Sequence, residues 1–275
     1  MLPLDHVTVA GPALAPMRAA LAAIGIPTVY GGGHRDGATE MALASFSDGS
    51  YLELIAPPPN APVHIVDGHP WSRYLTGSAG PCAWAVRTTD LDGELRRLRA
   101  AGIAASGPAA NGRRRPDGVQ LEWQIAAAGP GGPGTFFPFA IQDFTAHDLR
   151  AFPSGAPTAR EYRCVSRVVL AVHDLEAAAT RYRQAYGLTA FIRHTDRAFG
   201  AELIVAADAP VVLAQPLAAD SWLAARIQHF GEVPCAILLE GAASIQTFTA
   251  HSTWGDLHIG WFRPDTPGWR LAVCQ

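Results

Sequence analysis

The sequence predicts an α+β fold in which tandem βαβββ modules form curved mixed sheets with helices outside. Three observations predict it. The same strand–helix entry recurs along the chain, the helices that follow end at glycines in matching places, and apolar residues make up 49% of the 275 residues. With only 16% charged residues, this composition supports packed cores and excludes a disordered chain.

The first module is the clearest. Residues 4–10, LDHVTVA, are β-branched and predict a strand. A helix follows, with apolar residues at helical spacing: Leu14, Met17, Leu21 and Ile24. It ends at Gly25, where a left-handed backbone is favourable. Three more strands are predicted, over residues 28–30, 41–46 and 50–55, with a turn at Asp48-Gly49 before the last.

The same order returns in three further modules. In the second, a strand over 82–88 precedes a helix that ends at Gly102, and a Gly/Arg loop leads to strands over 119–126 and 136–144. The third begins at Ser166, its helix ends at Gly187, and strands follow over 201–206 and 211–215. The fourth is weaker, with strands predicted over 235–239, 257–262 and 269–273 and a poor helix over 242–249.

A linker is predicted at residues 151–162, which are rich in Pro, Ser, Gly and Ala. We therefore expect a domain of two modules over 1–150 and a second, degenerate pair of modules over 163–275. A single βαβββ unit cannot close its own sheet. Two units side by side would form an eight-stranded curved surface whose concave face suits a small ligand.

The composition excludes several functional classes. A net charge of −3 and the single short run Arg113–Arg115 argue against a nucleic-acid partner. The four cysteines form no CxxC pair, so free thiols are expected rather than a zinc ribbon. No GxSxG nucleophile motif occurs, and the glycine-rich residues 129–134 are expected to form a turn. With no apolar run of membrane-spanning length and no signal-peptide pattern, we expect a cytoplasmic protein without a membrane partner.

Three stretches resemble the glyoxalase-like domain of the vicinal oxygen chelate superfamily: LDHVTV at 4–9, TEMALASFSDGSYLELIA at 39–56, and residues 84–123. The resemblance covers roughly the first 145 residues, whereas the second half is similar only through SRVVLAVHDLEAA. This superfamily includes glyoxalase I, extradiol dioxygenases, epimerases and metal-free drug-sequestering (bleomycin resistance) proteins. The resemblance implies a divalent metal ion in the cup formed by the concave face of the sheet. A histidine on a first strand and a glutamate on a last strand would hold this ion.

By this resemblance, His6 and Glu53 are the expected metal ligands, and Glu53 also the catalytic group that moves a proton. Strand alternation agrees, because Tyr51 and Glu53 face the cup if Leu52 and Leu54 face the helices. A buried carboxylate needs a metal, an arginine or a ligand group as its partner. Lyase, isomerase or dioxygenase-type chemistry is implied, and the donor types suit zinc, nickel, manganese or iron(II) alike.

The other modules depart from this pattern. Ala83, Arg167 and Cys235 stand where the histidine is expected, and the last strand of the second module offers Gln142 or Asp143. Since a catalytic metal usually has three or more protein ligands, the set is incomplete unless one of these completes it. The alternative function is therefore metal-free binding or sequestration of a small apolar or aromatic compound. A third is an interaction module without a ligand.

Further ligand-binding residues are predicted around this pair. These residues are Tyr51, Arg114, Trp123, Gln142 and Asp143. Trp123 would line an apolar pocket, and Arg114 would anchor a carboxylate or phosphate. The histidines of the loops, among them His34, are expected to be exposed. A small-molecule substrate or ligand is the expected partner, and a homodimer is compatible with the sequence.

Overall fold

A computed structural model of the protein describes residues 2–34, 37–241, 248–262 and 269–275. The strands of the first half are β1 (Leu4–Ala10), β2 (Val29–Gly33), β3 (Glu40–Ser45), β4 (Tyr51–Ala56), β5 (Gly80–Arg87), β6 (Ala105–Arg114), β7 (Gln120–Ala128) and β8 (Phe139–Asp143). Its helices are α1 (Leu14–Ala23), α2 (Val63–Asp67), α3 (Ser72–Leu75), α4 (Leu91–Ala100) and α5 (His147–Ala151).

The second half repeats this arrangement. Its strands are β9 (Tyr162–Ala171), β10 (Phe191–Asp196), β11 (Ala201–Ala206), β12 (Val211–Pro216), β13 (Pro234–Gly241), β14 (Ala250–Trp254), β15 (Leu257–Trp261) and β16 (Arg270–Cys274). Its described helices are α6 (Leu175–Tyr186) and α7 (Trp222–Phe230).

Two eight-stranded sheets organise these elements. The first has the order β2-β3-β4-β1-β5-β8-β7-β6, and the second the order β10-β11-β12-β9-β13-β16-β15-β14. In each sheet the first strands of two modules pair antiparallel at the centre, β1 with β5 and β9 with β13. The first module therefore pairs with the second and the third with the fourth. The predicted fold class is confirmed, while the domain boundaries at 150 and 163 stay a prediction.

Local sequence explains why the helices lie on one face. In β4, Leu52 and Leu54 belong to the apolar core under the helices, whereas Tyr51 and Ile55 belong to the cluster on the concave face. The helices end where predicted, since Gly25, Gly102 and Gly187 all have a positive φ. Alternation of apolar side chains thus gives each sheet a helix-packed face and an inner face.

The two sheets share one core. A single apolar cluster contains helix-facing residues of both halves, including Val7 and Trp84 from the first and Val168 and Leu170 from the second. The residues of the two inner faces form separate clusters. The shared core therefore lies on the helix-packed faces, and the two concave faces lie outside it.

Several elements differ from the predictions. Strand β6 replaces the expected Gly/Arg loop, because an exposed edge strand carries no apolar alternation. Strand β8 is shorter than predicted, since Phe136 and Phe137 precede it and pack against Tyr182. Strands β10 and β14 and helices α2, α5 and α7 were not predicted. The helix expected over 242–249 lies mainly outside the described residues.

Candidate functional site

Glu53 lies at the centre of a polar group on the inner face of the first sheet. Neighbouring strands β1 and β4 run parallel, with Thr8 opposite Glu53. The Thr8 hydroxyl donates a 3.0 Å hydrogen bond to Glu53 Oε2, and His6 Nε2 lies 3.9 Å from the same oxygen. The Glu53 side chain is 14% exposed, so its carboxylate is sheltered but not sealed from solvent.

A second imidazole approaches the other oxygen of Glu53. His34, in the loop after β2, places its Nε2 3.8 Å from Glu53 Oε1. Its Nδ1 lies 2.6 Å from the Thr39 hydroxyl, which fixes the ring orientation. Because Nδ1 of each imidazole is engaged elsewhere, both Nε2 atoms face the Glu53 carboxylate.

The His6 ring is fixed from several sides. Its Nδ1 lies 2.5 Å from Asp5 Oδ1, its ring stacks on Tyr51 with centroids 4.8 Å apart, and Phe139 meets its edge. A register shift between Leu4 and His6 in the pairing of β1 with β5 breaks the alternation there. As a result, Asp5 lies beside His6 instead of on the opposite face.

Arg150 of α5 anchors this corner of the cup. Its guanidinium binds Asp5 through Nη1 and Nη2 at 2.8 and 2.9 Å, and Asp143 through Nε and Nη2 at 2.7 and 2.8 Å. The remaining Nη1 hydrogen bond, 2.5 Å long, goes to the Tyr51 hydroxyl. All five N–H donors of the guanidinium therefore have an acceptor. Arg150 is 2% exposed and has no donor left for a ligand.

Arg113 closes the cup on its open side. This buried side chain leaves edge strand β6 and donates to the Gly31 carbonyl on the opposite edge strand β2 at 2.6 Å. It also donates to the Arg150 carbonyl at 3.3 Å. Within the described residues no carboxylate hydrogen-bonds Arg113, and burial lowers the pKa of its guanidinium.

The carboxylates of the cup are held in their charged form. Burial acts to raise the pKa of Asp5, but the charge and hydrogen bonds of Arg150 and the contact with His6 hold it well below its usual range. Burial likewise acts to raise the pKa of Glu53, but the imidazoles of His34 and His6 and the charge of Arg113 lower it to about 2. Both groups are therefore ionised at neutral pH.

One group of three potential ligands meets a geometric criterion for a metal site in the described part of the chain. The ligand atoms of Asp5, Asp143 and His147 all lie within 4.8 Å of one another. Arg150 already occupies the space between the two aspartates, so a metal ion could enter only if the guanidinium left. His6, His34 and Glu53 do not meet this criterion, so at least two of their ligand atoms lie more than 4.8 Å apart.

A family comparison agrees with this architecture. The family model described as a glyoxalase-like domain matches residues 4–162. The chain belongs to the glyoxalase-like domain family of the vicinal oxygen chelate superfamily. The match covers both modules of the first sheet and ends where β9 begins.

Solved structures extend the likeness over the whole chain. A hypothetical protein from Staphylococcus aureus is 12% identical with a TM-score of 0.68, covering 99% of each chain. A mutant 4-hydroxymandelate synthase from Streptomyces coelicolor is 11% identical with a TM-score of 0.62, covering 100% of this chain and 93% of that one. A fusion of a TIM barrel with 4-hydroxyphenylpyruvate dioxygenase is 12% identical with a TM-score of 0.58, covering 99% of this chain and 48% of that one. At these identities the likeness shows the fold alone. The search of curated proteins found no match.

The structure brings some predicted residues of this glyoxalase-like protein together. His6, Tyr51 and Glu53 face the same cup. Asp143 reaches it from β8 but is bound by Arg150. The ring of Trp123 lies near the same guanidinium, with its centroid 5.8 Å from Cζ.

Two predicted residues lie elsewhere. Arg114 is exposed and donates to the Gly118 carbonyl within its own hairpin, because alternation along β6 turns Arg113 inward instead. Gln142 lies on the helix-packed face, where its Oε1 accepts from the backbone N–H of Leu91 at the start of α4. The structure places neither side chain beside Glu53.

The concave face of the second sheet is filled. Phe199 contacts Trp222, Trp254 and Trp261 with ring centroids 5.0–5.3 Å apart, and Arg270 lies over Phe199. Among the described residues of this half, no ion pair joins a histidine to a carboxylate. Instead of a polar centre, this cup holds an aromatic core. No helix of the described chain is long and apolar enough to cross a membrane.

Sequence reasoning missed four polar residues of the first cup: Asp5, His34, Arg113 and Arg150. A bulge, a loop, an edge strand and a short helix position them, and none of these leaves a periodic signal. The resemblance marked His6 and Glu53 only. Asp5 next to His6 in an otherwise apolar strand was the single available hint, because a buried aspartate requires a cationic partner.

Proposed function

We propose that the first sheet forms a small-molecule site that depends on a divalent metal ion, with Glu53, His6 and His34 as its donors. The observation that carries this proposal is the position of the Glu53 carboxylate between two imidazole Nε2 atoms, at 3.9 and 3.8 Å. Two histidines and one carboxylate suit zinc, iron(II), nickel or manganese.

The donor set fits a metal chemically, but its members must move closer together to hold one ion. Bonds of about 2.0–2.2 Å would place donors on one ion roughly 3.0–3.5 Å apart. Each imidazole must therefore approach Glu53 by about half an ångström, and at least one pair of the three donor atoms, now more than 4.8 Å apart, must close by more than about an ångström. Outer partners that orient metal-binding imidazoles are already present, namely Asp5 on His6 and Thr39 on His34. His34 lies on a loop, where such an approach needs little rearrangement of the sheet.

The charge state of Glu53 supports a ligand role over that of a proton carrier. A carboxylate with a pKa of about 2 remains ionised, whereas an effective general base has a pKa near the working pH. A bound divalent ion would polarise a carbonyl or enolate oxygen of the substrate. His34, with a side chain 29% exposed, lies on the side from which a small molecule can approach.

The proposed activity is of the lyase, isomerase or dioxygenase type on a small carbonyl or phenolic compound. Support comes from the family and from the fold shared with 4-hydroxymandelate synthase and the 4-hydroxyphenylpyruvate dioxygenase fusion. Because unrelated chemistries share one fold, α-keto aldehydes, α-keto acids and catechols should all be screened.

The test is the metal content of untagged protein, measured by elemental mass spectrometry. We expect near-stoichiometric metal in the wild type and its loss in His6→Ala and Glu53→Gln. His64→Ala is the matched control, because His64 is exposed on α2, outside the cup. Retention of metal in both site variants, or none in a wild type purified without chelator and reloaded with each candidate ion, would contradict the proposal.

One observation favours metal-free binding as the second candidate. Asp143, the carboxylate on the last strand of the second module, is bound by Arg150 through two hydrogen bonds and so is withheld from a metal. A metal-free cup would hold a small aromatic compound beside Phe139 and Trp123. Saturable binding of such a compound that is unchanged by chelator would favour this candidate.

A further inference from the structure

Arg150 holds both of the groups that fix the His6 ring. Its guanidinium binds the two oxygens of Asp5 at 2.8 and 2.9 Å, and Asp5 in turn contacts His6 Nδ1 at 2.5 Å. Its Nη1 also donates to the hydroxyl of Tyr51, whose ring stacks on His6 at an interplanar angle of 10°. The hydrogen-bond partner and the stacking partner of one imidazole are therefore anchored to one buried side chain.

We infer that Asp5 and Arg150 are positioning residues for His6. Asp5 selects the imidazole tautomer with its proton on Nδ1, and Arg150 locks Asp5 and Tyr51 so that the bare Nε2 faces Glu53. This inference rests on the proposed function, in which His6 Nε2 is a donor to a metal ion.

The tautomer follows from the chemistry of Asp5. An ionised carboxylate only accepts hydrogen bonds, so the nitrogen that contacts it must carry the proton. A neutral imidazole has one N–H, which leaves a lone pair on Nε2. That lone pair is what a metal ion requires, and a carboxylate on the far nitrogen also increases the basicity of the ligand.

Arg150 makes this arrangement rigid because its donors are saturated. A rotation of the guanidinium would break hydrogen bonds to Asp5, Asp143 or Tyr51 in a buried setting, where an unpaired charge is costly. The hydrogen bonds of Arg150 also explain why the side chains of Asp5, Asp143 and His147 lie close together. Arg150 acts as the permanent cation of that group, which leaves Glu53 as the carboxylate of the cup that no arginine hydrogen-bonds among the described residues.

The decisive variant is Asp5→Ala, which removes both carboxylate oxygens while Arg150 keeps its hydrogen bonds to Asp143 and Tyr51. The carboxylate beside the His6 ring is then Glu53, whose Oε2 lies 3.9 Å from Nε2. Because a carboxylate only accepts hydrogen bonds, His6 should then carry its proton on Nε2. The matched control is Asp148→Ala, the same change at an exposed position of α5 two residues from Arg150.

The first readout is long-range ¹H–¹⁵N NMR of chelator-treated protein, at a pH well above the ordinary imidazole pKa, with His6 assigned from the spectrum of His6→Gln. We expect the Nδ1–H tautomer in the wild type and in Asp148→Ala, and the Nε2–H tautomer in Asp5→Ala. The second readout is the affinity for Zn²⁺ by calorimetry. It should fall about 10–100-fold in Asp5→Ala, the range typical of lost support to a metal-binding histidine.

Arg150→Lys provides a second test in case the Asp5 variant does not fold. It keeps the positive charge but replaces five fixed donors with three on a flexible stem. We expect the Nδ1–H tautomer to persist, because Asp5 stays ionised, while Zn²⁺ affinity falls several-fold because the His6 ring is less firmly held.

The outcomes separate this inference from the proposed function. A folded Asp5→Ala protein with the wild-type tautomer overturns the inference, and so does wild-type Zn²⁺ affinity in Arg150→Lys if Asp5→Ala does not fold. A tautomer switch in a protein whose wild type binds no Zn²⁺ supports the positioning role and contradicts the metal site. Equal Zn²⁺ affinity in the wild type and both folded variants supports the metal site and overturns the positioning role.

Discussion

The Arg113 guanidinium donates a 2.6 Å hydrogen bond to the Gly31 carbonyl, and this bond joins the two edge strands of the first sheet. The glycine run of β2 lets the edges approach. A side chain at Gly31 would meet Met41 at 3.0 Å, and one at Gly32 would meet the Arg114 carbonyl at 3.4 Å. The cup is therefore nearly closed into a barrel by one side chain of β6, and the site that contains Glu53 depends on that closure.

Replacement of Arg113 should destabilise the protein. Arg113→Met keeps the apolar stem but leaves the carbonyls of Gly31 and Arg150 without their donor, at a cost of about 1–3 kcal/mol after the gain from removing a buried charge. Arg114→Met is the matched control. Because the Arg114 side chain is exposed, the free energy of unfolding of the Arg114→Met protein should stay within about 0.5 kcal/mol of the wild-type value. Urea unfolding followed by circular dichroism measures both, and equal losses in the two variants would contradict the closure.

Glu53 should make the stability of the metal-free protein depend on acid pH. Its pKa is lowered from 4.5 to about 2, so its contribution is complete above pH 4.5 and is lost as the pH falls toward 2. The shift corresponds to roughly 3 kcal/mol. We expect Glu53→Gln to be less stable than the wild type by up to that amount at neutral pH. The difference should shrink steadily below pH 4.5.

Urea unfolding at several pH values in the presence of chelator tests this. Glu122→Gln provides the control, because Glu122 is exposed on β7 and has no ion-pair partner among the described residues. A gap between the wild type and Glu53→Gln that is the same at neutral pH and near pH 3.5 would show that the imidazoles and Arg113 do not stabilise the Glu53 carboxylate.

His34 is expected to bind the metal ion directly. Loss of an outer partner of a metal ligand typically costs 10–100-fold in affinity, and loss of a donor should cost at least about 100-fold. We therefore expect His34→Ala to bind Zn²⁺ about 100-fold more weakly than the wild type in calorimetry, with an unchanged circular dichroism spectrum. His64→Ala, an exposed histidine of α2, should bind Zn²⁺ normally. Wild-type affinity in His34→Ala would reduce the site to His6 and Glu53.

The sequence was sufficient to predict the repeated architecture because each module shows the same apolar periodicity. Alternation in YLELIA placed Leu52 and Leu54 under the helices and Glu53 in the cup, as the structure confirms. Gly25 and Gly102 marked the helix ends in the sequence, and both have a positive φ in the structure. These signals are local, so each could be interpreted without knowledge of the tertiary structure.

The polar centre could not be predicted in the same way, because its partners are distant in sequence. Asp5 and Arg150 are 145 residues apart and meet only when α5 packs into the cup. His34 lies in a glycine-rich loop, where exposure was the natural expectation. In β6, Arg113 faces the cup and Arg114 faces solvent. The sequence could not distinguish the two, since an exposed edge strand has no apolar alternation to fix its register.

The second half should contribute stability without contributing to the site. Phe199 is 1% exposed and contacts three tryptophans in the filled cup, so Phe199→Ala should cost about 3–5 kcal/mol of unfolding free energy. The metal content and Zn²⁺ affinity of the folded variant should equal those of the wild type, because the inner faces of the two sheets form separate apolar clusters. Denaturant unfolding and elemental analysis of the same preparation measure the two properties together. A folded Phe199→Ala protein that lost its metal would show that the second sheet supports the site directly, and the aromatic cluster would then have to be treated as part of the functional centre.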